Sequence, residues 1–387
     1  MWMRLMLVLP LFVLSASSIW AQPEEEWNQT FGGPGHEVGG PILATQDGGY
    51  VLTGMTESYG AGNGDLWLLK LDRDGGKVWD QTFGGRGVDV GESVLETEDG
   101  GLVVGGYTTS FGAGGKDAWL LKTGSDGNEE WDETFGGSED DAAWSVVEAE
   151  DGGYILLGYT ESYGIGKFDV WLLKTDAEGV EEWNRTFGGP SDDEGMAVRV
   201  TNDGGFIIAG RTDSYGVGGF DAWLIKADAE GNEIWTRTFG GAKQDCICSI
   251  QETDDGYIAA GFTDSFGSGK YDVWLLRTDS EGVELWNRTF GISAGDFGSS
   301  VVPTEDGGFI VTGWTSRDGT RTSPEDALLI NTDSEGCVEW MTLLGGDGTQ
   351  SGVSVLLAED GGIVVSGFSN RGGAGGFDLW ITKLRNG

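Results

Sequence analysis

The chain has 387 residues, with 64 acidic against 23 basic side chains and a formal charge of −41. That balance excludes a general binder of nucleic acid or of anionic membrane, because no basic stripe exists to neutralise phosphates, while it suits solubility and cation binding. With one histidine and three cysteines that form no paired motif, a zinc or haem centre has no ligand set.

In chain order, residues 1 to 21 come first. Arg4, an apolar core from Leu5 to Leu14 and small residues before Ala21 read as a secretory signal cleaved near Ala21-Gln22. An uncleaved anchor is the rival reading, but the apolar stretch is short for a span. The expectation is a signal peptide at 1–21 and one domain at 22–387. The protein would then be secreted or on the cell surface, monomeric, with no membrane insertion after cleavage.

From there a unit of about fifty-two residues recurs, its anchor tryptophans at Trp27, Trp79, Trp131, Trp183, Trp235, Trp286 and Trp340. In the third unit Asp151-Gly-Gly-Tyr punctuates two apolar runs. A Gly-rich loop Gly164–Asp169 leads into Asp169-Val-Trp-Leu-Leu-Lys174, and the turn Asp176-Ala-Glu-Gly179 precedes Glu181–Phe187. Four short runs, rich in branched and aromatic residues and bounded by Gly and Asp, predict four antiparallel strands per unit. Nothing carries helical spacing over a helical length. The glycines fall at fixed offsets, where turns need positive φ.

The chain ends decide between a solenoid and a closed ring. Glu24–Phe31 supplies only a fourth strand, and Val353–Leu384 only the first three. Pairing them completes a seventh sheet and removes the open edges. The prediction is all-β: a seven-bladed β-propeller of four-stranded blades, with the N-terminal strand outermost in the last blade.

A second tryptophan series, Trp67, Trp119, Trp171, Trp223, Trp274 and Trp380, occupies the third strands, with Leu328 in the sixth. Alternation puts Trp171 and Leu173 on one face and Val170 and Leu172 on the other, as expected for blades packed face to face. A buried indole covers on the order of 200 Å², worth about 5 kcal/mol as an upper bound. Core packing therefore outweighs carbohydrate stacking for both series. Cys246 and Cys248 lie two apart on a first strand, where a disulfide would be strained, and read as small packing residues.

The turn and strand Asp176–Trp183 resembles the blade signature of quinoprotein-like propellers, with Gly179 four residues before Trp183. The Asp-to-Gly gap is one residue shorter, and Glu178 stands where a threonine normally precedes that Gly. The whole unit, with Asp-Gly-Gly-Tyr, Trp-Leu-Leu-Lys and Thr-Phe-Gly-Gly, resembles the repeat of uncharacterised secreted prokaryotic propellers. The resemblance spans residues 24 to 384 and implies the fold, with almost nothing about chemistry.

Long loops joining fourth to first and second to third strands share one face, and binding residues concentrate on such loops. There Glu37, Asp89, Asp141, Asp193, Asp245 and Asp296, with Gln350 in the seventh place, open the first strands around the central channel, reinforced by Asp140 and Asp192. A ring of carboxylates and loop carbonyls fits Ca2+; the alternative is that each acid caps its own loop and stays solvated. A second ring, Asp65, Asp117, Asp169, Asp221, Asp272, Asp326 and Asp378, reads as caps of the Gly-rich loops. Tyr59, Phe111, Tyr163, Tyr215 and Phe266 are candidate sugar platforms or plugs of the groove between blades. Asn28, Asn184 and Asn287 sit in glycosylation triplets on outermost strands.

No nucleophile elbow, phosphate loop or histidine pair is present, and carboxylate pairs are expected by chance among 64 acids. The expected function is a non-catalytic extracellular binding or scaffold module. Its long-loop face would contact a protein or glycan, with Ca2+ as the cofactor it would take, if any. A structural cell-envelope protein and a quinoprotein-like oxidoreductase are the alternatives; the latter lacks adjacent cysteines and a quinone ligand set. Departures from the repeat, His36, Lys116, Arg211, Lys243, Gln244 and the sixth loop with Arg317 and Arg321, mark where contacts would have been acquired.

Overall fold

The computed structural model describes residues 22–291, 295–316, 326–345 and 348–385. Within them the strands form seven four-stranded antiparallel sheets, and consecutive first strands touch all the way round, the seventh against the first. This is the expected seven-bladed propeller. Blades 1 to 6 start at the first strands Glu37–Ala44, Asp89–Glu96, Asp141–Glu148, Asp193–Val200, Asp245–Thr253 and Gly295–Pro303. Blade 7 comprises Gln350–Leu357, Ile363–Ser369 and Asp378–Arg385, completed on its outer edge by Glu24–Phe31. The segment read as a signal, 1–21, lies outside the described residues.

The alternating apolar pattern explains the packing between blades. Val170 and Leu172 join Ile208 and Trp223 of blade 4, while Trp171 and Leu173 join Val103 and Leu120 of blade 2. Each blade is therefore sandwiched, and both faces must be apolar. The third-strand tryptophans are 1–3% exposed, and Leu328 fills the sixth place at 1%.

The fourth-strand tryptophans behave differently from the expectation of full burial. Trp340 is buried, but the other six are half-buried. Each of those six lies against the turn glycine of the next blade: a Cβ on Gly179 would fall 2.6 Å from Trp131, and Gly75, Gly127, Gly231, Gly282 and Gly336 meet Trp27, Trp79, Trp183, Trp235 and Trp286 in the same way. At φ +85° Gly179 also needs the conformation that glycine adopts freely. The Gly and Trp of the blade signature thus dock one blade on the next, as the resemblance implies, the glycine of one unit meeting the tryptophan of the unit before it.

One repeated bond was not anticipated. The lysine that closes each Trp-Leu-Leu-Lys strand is buried and reaches the Asp of the Asp-Gly-Gly turn in its own blade: Lys70–Asp47 at 2.6 Å, Lys174–Asp151 at 3.0 Å, Lys226–Asp203 at 2.9 Å and Lys383–Asp360 at 2.5 Å. Arg277 makes the equivalent pair with Asp255. In blade 6 Asn331 replaces the lysine and bonds Glu339 instead. The hydrogen bond from Lys70, with that from Thr45, holds the Asp47 carboxyl down at about 2.

Candidate functional site

The two rings of aspartates prove to be one arrangement. At six blade junctions the amide of the first-strand acid donates to the carbonyl just before the third-strand aspartate of the preceding blade, as in Asp141 N to Lys116 O at 2.9 Å and Glu37 N to Phe377 O at 2.7 Å. This stitch brings Asp65 to Asp89, Asp117 to Asp141, Asp169 to Asp193, Asp221 to Asp245, Asp272 to Asp296, and Asp378 to Glu37. A methyl group on the intervening glycine would meet carboxylate oxygens of both partners, as at Gly136, where the Asp117 and Asp141 oxygens lie 2.6 and 2.7 Å from it.

The expectation that the first ring stays solvated at the channel mouth is corrected. Glu37, Asp89, Asp141, Asp193, Asp245 and Asp296 are all 0% exposed. Asp141 shows why: its oxygens accept from the Gly137 amide at 2.8 Å, the Ser162 hydroxyl at 2.6 Å and amide at 3.3 Å, and the Thr160 hydroxyl. Asp89, Asp193 and Asp245 repeat the Gly, Thr and Ser bonds. Among the described residues no three acidic, histidine or cysteine side chains gather as a metal cluster. The ring thus caps loops, as the alternative reading had it, but in the dry interior. The Thr and Ser partners recur at fixed offsets, a signal the sequence reading did not use.

In blades 1 to 4 the second ring caps its loops as expected. The Asp169 Oδ2 accepts the Ile165 and Gly166 amides at 3.0 and 2.9 Å, and the Asp221 Oδ2 accepts Val217 N at 2.7 Å. Burial pushes Asp221 up to about 6, against the Val217 bond and with the Asp245 charge adding to it.

The loop aromatics Tyr59, Phe111, Tyr163, Tyr215 and Phe266 are 42–47% exposed. Each packs against its own blade's third-strand tryptophan with centroids 5.5 to 6.1 Å apart. Tyr59, Tyr163 and Tyr215 also donate to the carbonyls of Gly32, Gly136 and Gly188. One edge is thus tied down and one remains open to solvent. Asn28, Asn184 and Asn287 lie on outermost strands, their amides donating to Glu25, Glu181 and Glu284. Arg317 and Arg321 fall outside the described residues.

What the sequence reading missed is the wall of the channel mouth. Every first strand carries a β-bulge at the same step, and the extra residue differs in each blade: Glu92, Trp144, Met196, Cys248, Ser299 and Val353 in blades 2 to 7. Bulges re-aim side chains, and these occupy strands that surround the axis. Trp144 stands 5.9 Å from Tyr107 and 5.8 Å from Tyr159, centroid to centroid. Tyr159 meets Phe168 at 4.8 Å. Across the mouth Phe297 stacks on Trp314 at 4.2 Å and meets Tyr271 at 4.9 Å, beside Cys246 and Cys248, whose sulfurs are 4.0 Å apart.

Cations ride on this aromatic wall: Lys116 lies 4.7 Å over Tyr107, Lys167 4.5 Å over Phe168 and Arg211 4.3 Å over Phe220. Arg211 is also paired with Glu194 at 2.7 Å. Burial pushes Glu92 up to about 7, with Lys116 pulling the other way, and burial with the Glu92 charge pushes Tyr107 up to about 12. Among the described residues the buried Trp144 Nε1 and Arg211 Nε have no hydrogen-bond partner, as is true of the core indoles Trp171, Trp223 and Trp274. The single histidine, His36, accepts the Phe377 amide at 3.2 Å, and Gln244 accepts the Tyr271 hydroxyl at 3.2 Å.

No protein-family profile matches the chain. Over 245 residues it is 27% identical to the regulatory protein FlaEY of Caulobacter vibrioides; the match covers 54% of this chain and 25% of FlaEY, so the chain spans about a quarter of that relative's length. Among solved structures it is similar to the Pan2 WD40 domain of Neurospora crassa, with a TM-score of 0.54, 12% identity and coverage of 92% of this chain and 90% of that one. It is equally similar to polysaccharide lyase Uly1, with a TM-score of 0.54, 12% identity and coverage of 94% and 99%. At this level of identity the likeness is one of β-propeller fold alone.

Proposed function

We propose that the chain is a non-catalytic binding module that works outside the cytoplasm and engages a protein or glycan at the channel mouth on its long-loop face. One observation carries the reading. The units are near copies of one another, yet the residues that break the pattern, Lys116, Arg211, Lys243 and Gln244 with the bulge residues Glu92, Trp144, Met196 and Cys248, converge on the same rim. Aromatic faces and charged edges are what a ligand site needs for shape and orientation.

The test uses residues 22–387 and retention on cell-wall preparations and immobilised polysaccharides. Trp144→Ala with Lys116→Ala should lower retention at least tenfold in a protein that still folds, as circular dichroism checks, although loss of the packed ring lowers its melting temperature. Unchanged retention would remove the mouth from the function. Catalysis gains no support from the rim, where the one histidine is engaged with a backbone amide. The likeness to a lyase brings no residue roles to this chain.

A further inference from the structure

We propose that the junction between the last and first blades holds a calcium ion between Glu37 and Asp378. This goes beyond the binding role and does not depend on it.

The closing junction differs from the other acid pairs in the number of bonds its acids make. Asp141 accepts from one glycine amide, two hydroxyls and a further amide. Glu37, the one glutamate in the ring, accepts only the Gly33 amide at 2.9 Å and the Thr56 hydroxyl at 2.9 Å. Ser58 stands where Ser110, Ser162 and Ser214 donate to their aspartates; like them it accepts a loop amide, here that of Gly35, but it makes no bond to Glu37. Glu37 therefore keeps lone pairs that the aspartates have used.

Its partner supplies the independent observation. Asp378 is 1% exposed, and neither of its carboxylate oxygens has a hydrogen-bond partner. Burial and the facing Glu37 carboxylate push the Asp378 carboxyl up, and the Ala374 amide, short of hydrogen-bond geometry, pulls the other way. In Asp65, Asp117, Asp169 and Asp221 the equivalent oxygen is bonded to loop amides. Asp378 is aimed at Glu37: a methyl group on Gly32 would collide with an oxygen of each. Neither acid takes part in an ion pair among the described residues.

Two facing carboxylates sealed from water without a counter-charge are costly, and only a cation or a shared proton relieves them. Spare lone pairs on both partners favour the cation, since a shared proton would satisfy one oxygen of Asp378 and leave the other bare. The loop over the site, Arg371-Gly-Gly-Ala-Gly-Gly-Phe377, is rich enough in glycine to turn its carbonyls inward. Carboxylate, carbonyl and water oxygens in flexible geometry suit calcium, whereas Mg2+ demands a regular octahedron and keeps its waters.

The experiment is calcium titration by calorimetry on residues 22–387 stripped with chelator, with elemental analysis and melting curves in calcium and in magnesium. The expected result is one calcium per chain and a rise of at least about 2 °C with calcium alone. Binding should vanish in Asp378→Asn and survive in Asp169→Asn. Because Asp378→Asn removes a buried group and can fail to fold, Glu37→Asp provides a second route. It installs the residue that other junctions already carry, and should cut calcium affinity at least tenfold in a folded protein. No bound calcium in the wild type, with Asp378→Asn melting at or above it, would show a shared proton and overturn the proposal. So would several equivalent ions, or calcium affinity unchanged in Glu37→Asp.

Discussion

Asp47 and Asp221 show how the same side chain is driven in opposite directions by its surroundings. Asp47, bonded to Lys70 and Thr45, titrates at about 2 in the fold against 3.8 in an unfolded chain. Asp203 also lies at about 2, because Thr201 and Lys226 outweigh its burial. A depressed acid stabilises the fold above its unfolded value and loses that contribution as pH falls through the folded one. Asp221, raised to about 6 by burial, does the reverse: the fold prefers its neutral form, so stability declines as pH rises from about 4 to about 6. The melting temperature should therefore peak near pH 4 to 5, falling toward pH 2 and toward pH 7. Calorimetry from pH 2 to 8 checks it, and Asp221→Asn should make the limb between 4 and 6 shallower, the remainder belonging to acids such as Glu92, raised to about 7, while leaving the acid limb in place. A limb unchanged in that variant would refute the assignment to Asp221.

At the scale of elements, two glycines in blade 3 separate backbone conformation from docking. Gly152 has φ +84° and open space where a Cβ would go, while Gly179 has φ +85° and Trp131 in that place. Gly152→Ala should cost about 1–2 kcal/mol, the strain of a left-handed residue. Gly179→Ala should cost a further 1–3 kcal/mol or so, because an indole ring must shift. Urea denaturation distinguishes them, and equal costs would mean that the turn does not dock the blades. Removing residues 22–31 takes away both the edge partner of Asp378–Arg385 and the Trp27 that meets Gly75. That truncation should lower the melting temperature by more than any single substitution here and promote association through the bared edge, visible by light scattering.

For the whole molecule, the architecture was legible in the sequence because it is repeated: strand number, blade number and the closure by Glu24–Phe31 follow from period and turn chemistry. The polar relations between and across strands were not. The acid rings look independent along the chain, 24 residues apart at Asp117 and Asp141, and only the junction stitch makes them neighbours. The buried Lys70–Asp47 bond, 23 residues apart, was hidden for the same reason. The channel-mouth wall is hidden in the sequence because a bulge shifts which residue faces the axis, and nothing in the local pattern marks Trp144 or Glu92 as the extra residue. Closure of the ring by its first strand also imposes an order in time. On a ribosome adding about 5–20 residues per second, Glu24–Phe31 emerges roughly 15–60 s before the strands it must join. For that interval the nascent chain holds an unmatched edge at each end of an open arc. Copies translated close together can exchange first strands, so the yield of single rings should depend on how far apart neighbouring chains are kept while they are made.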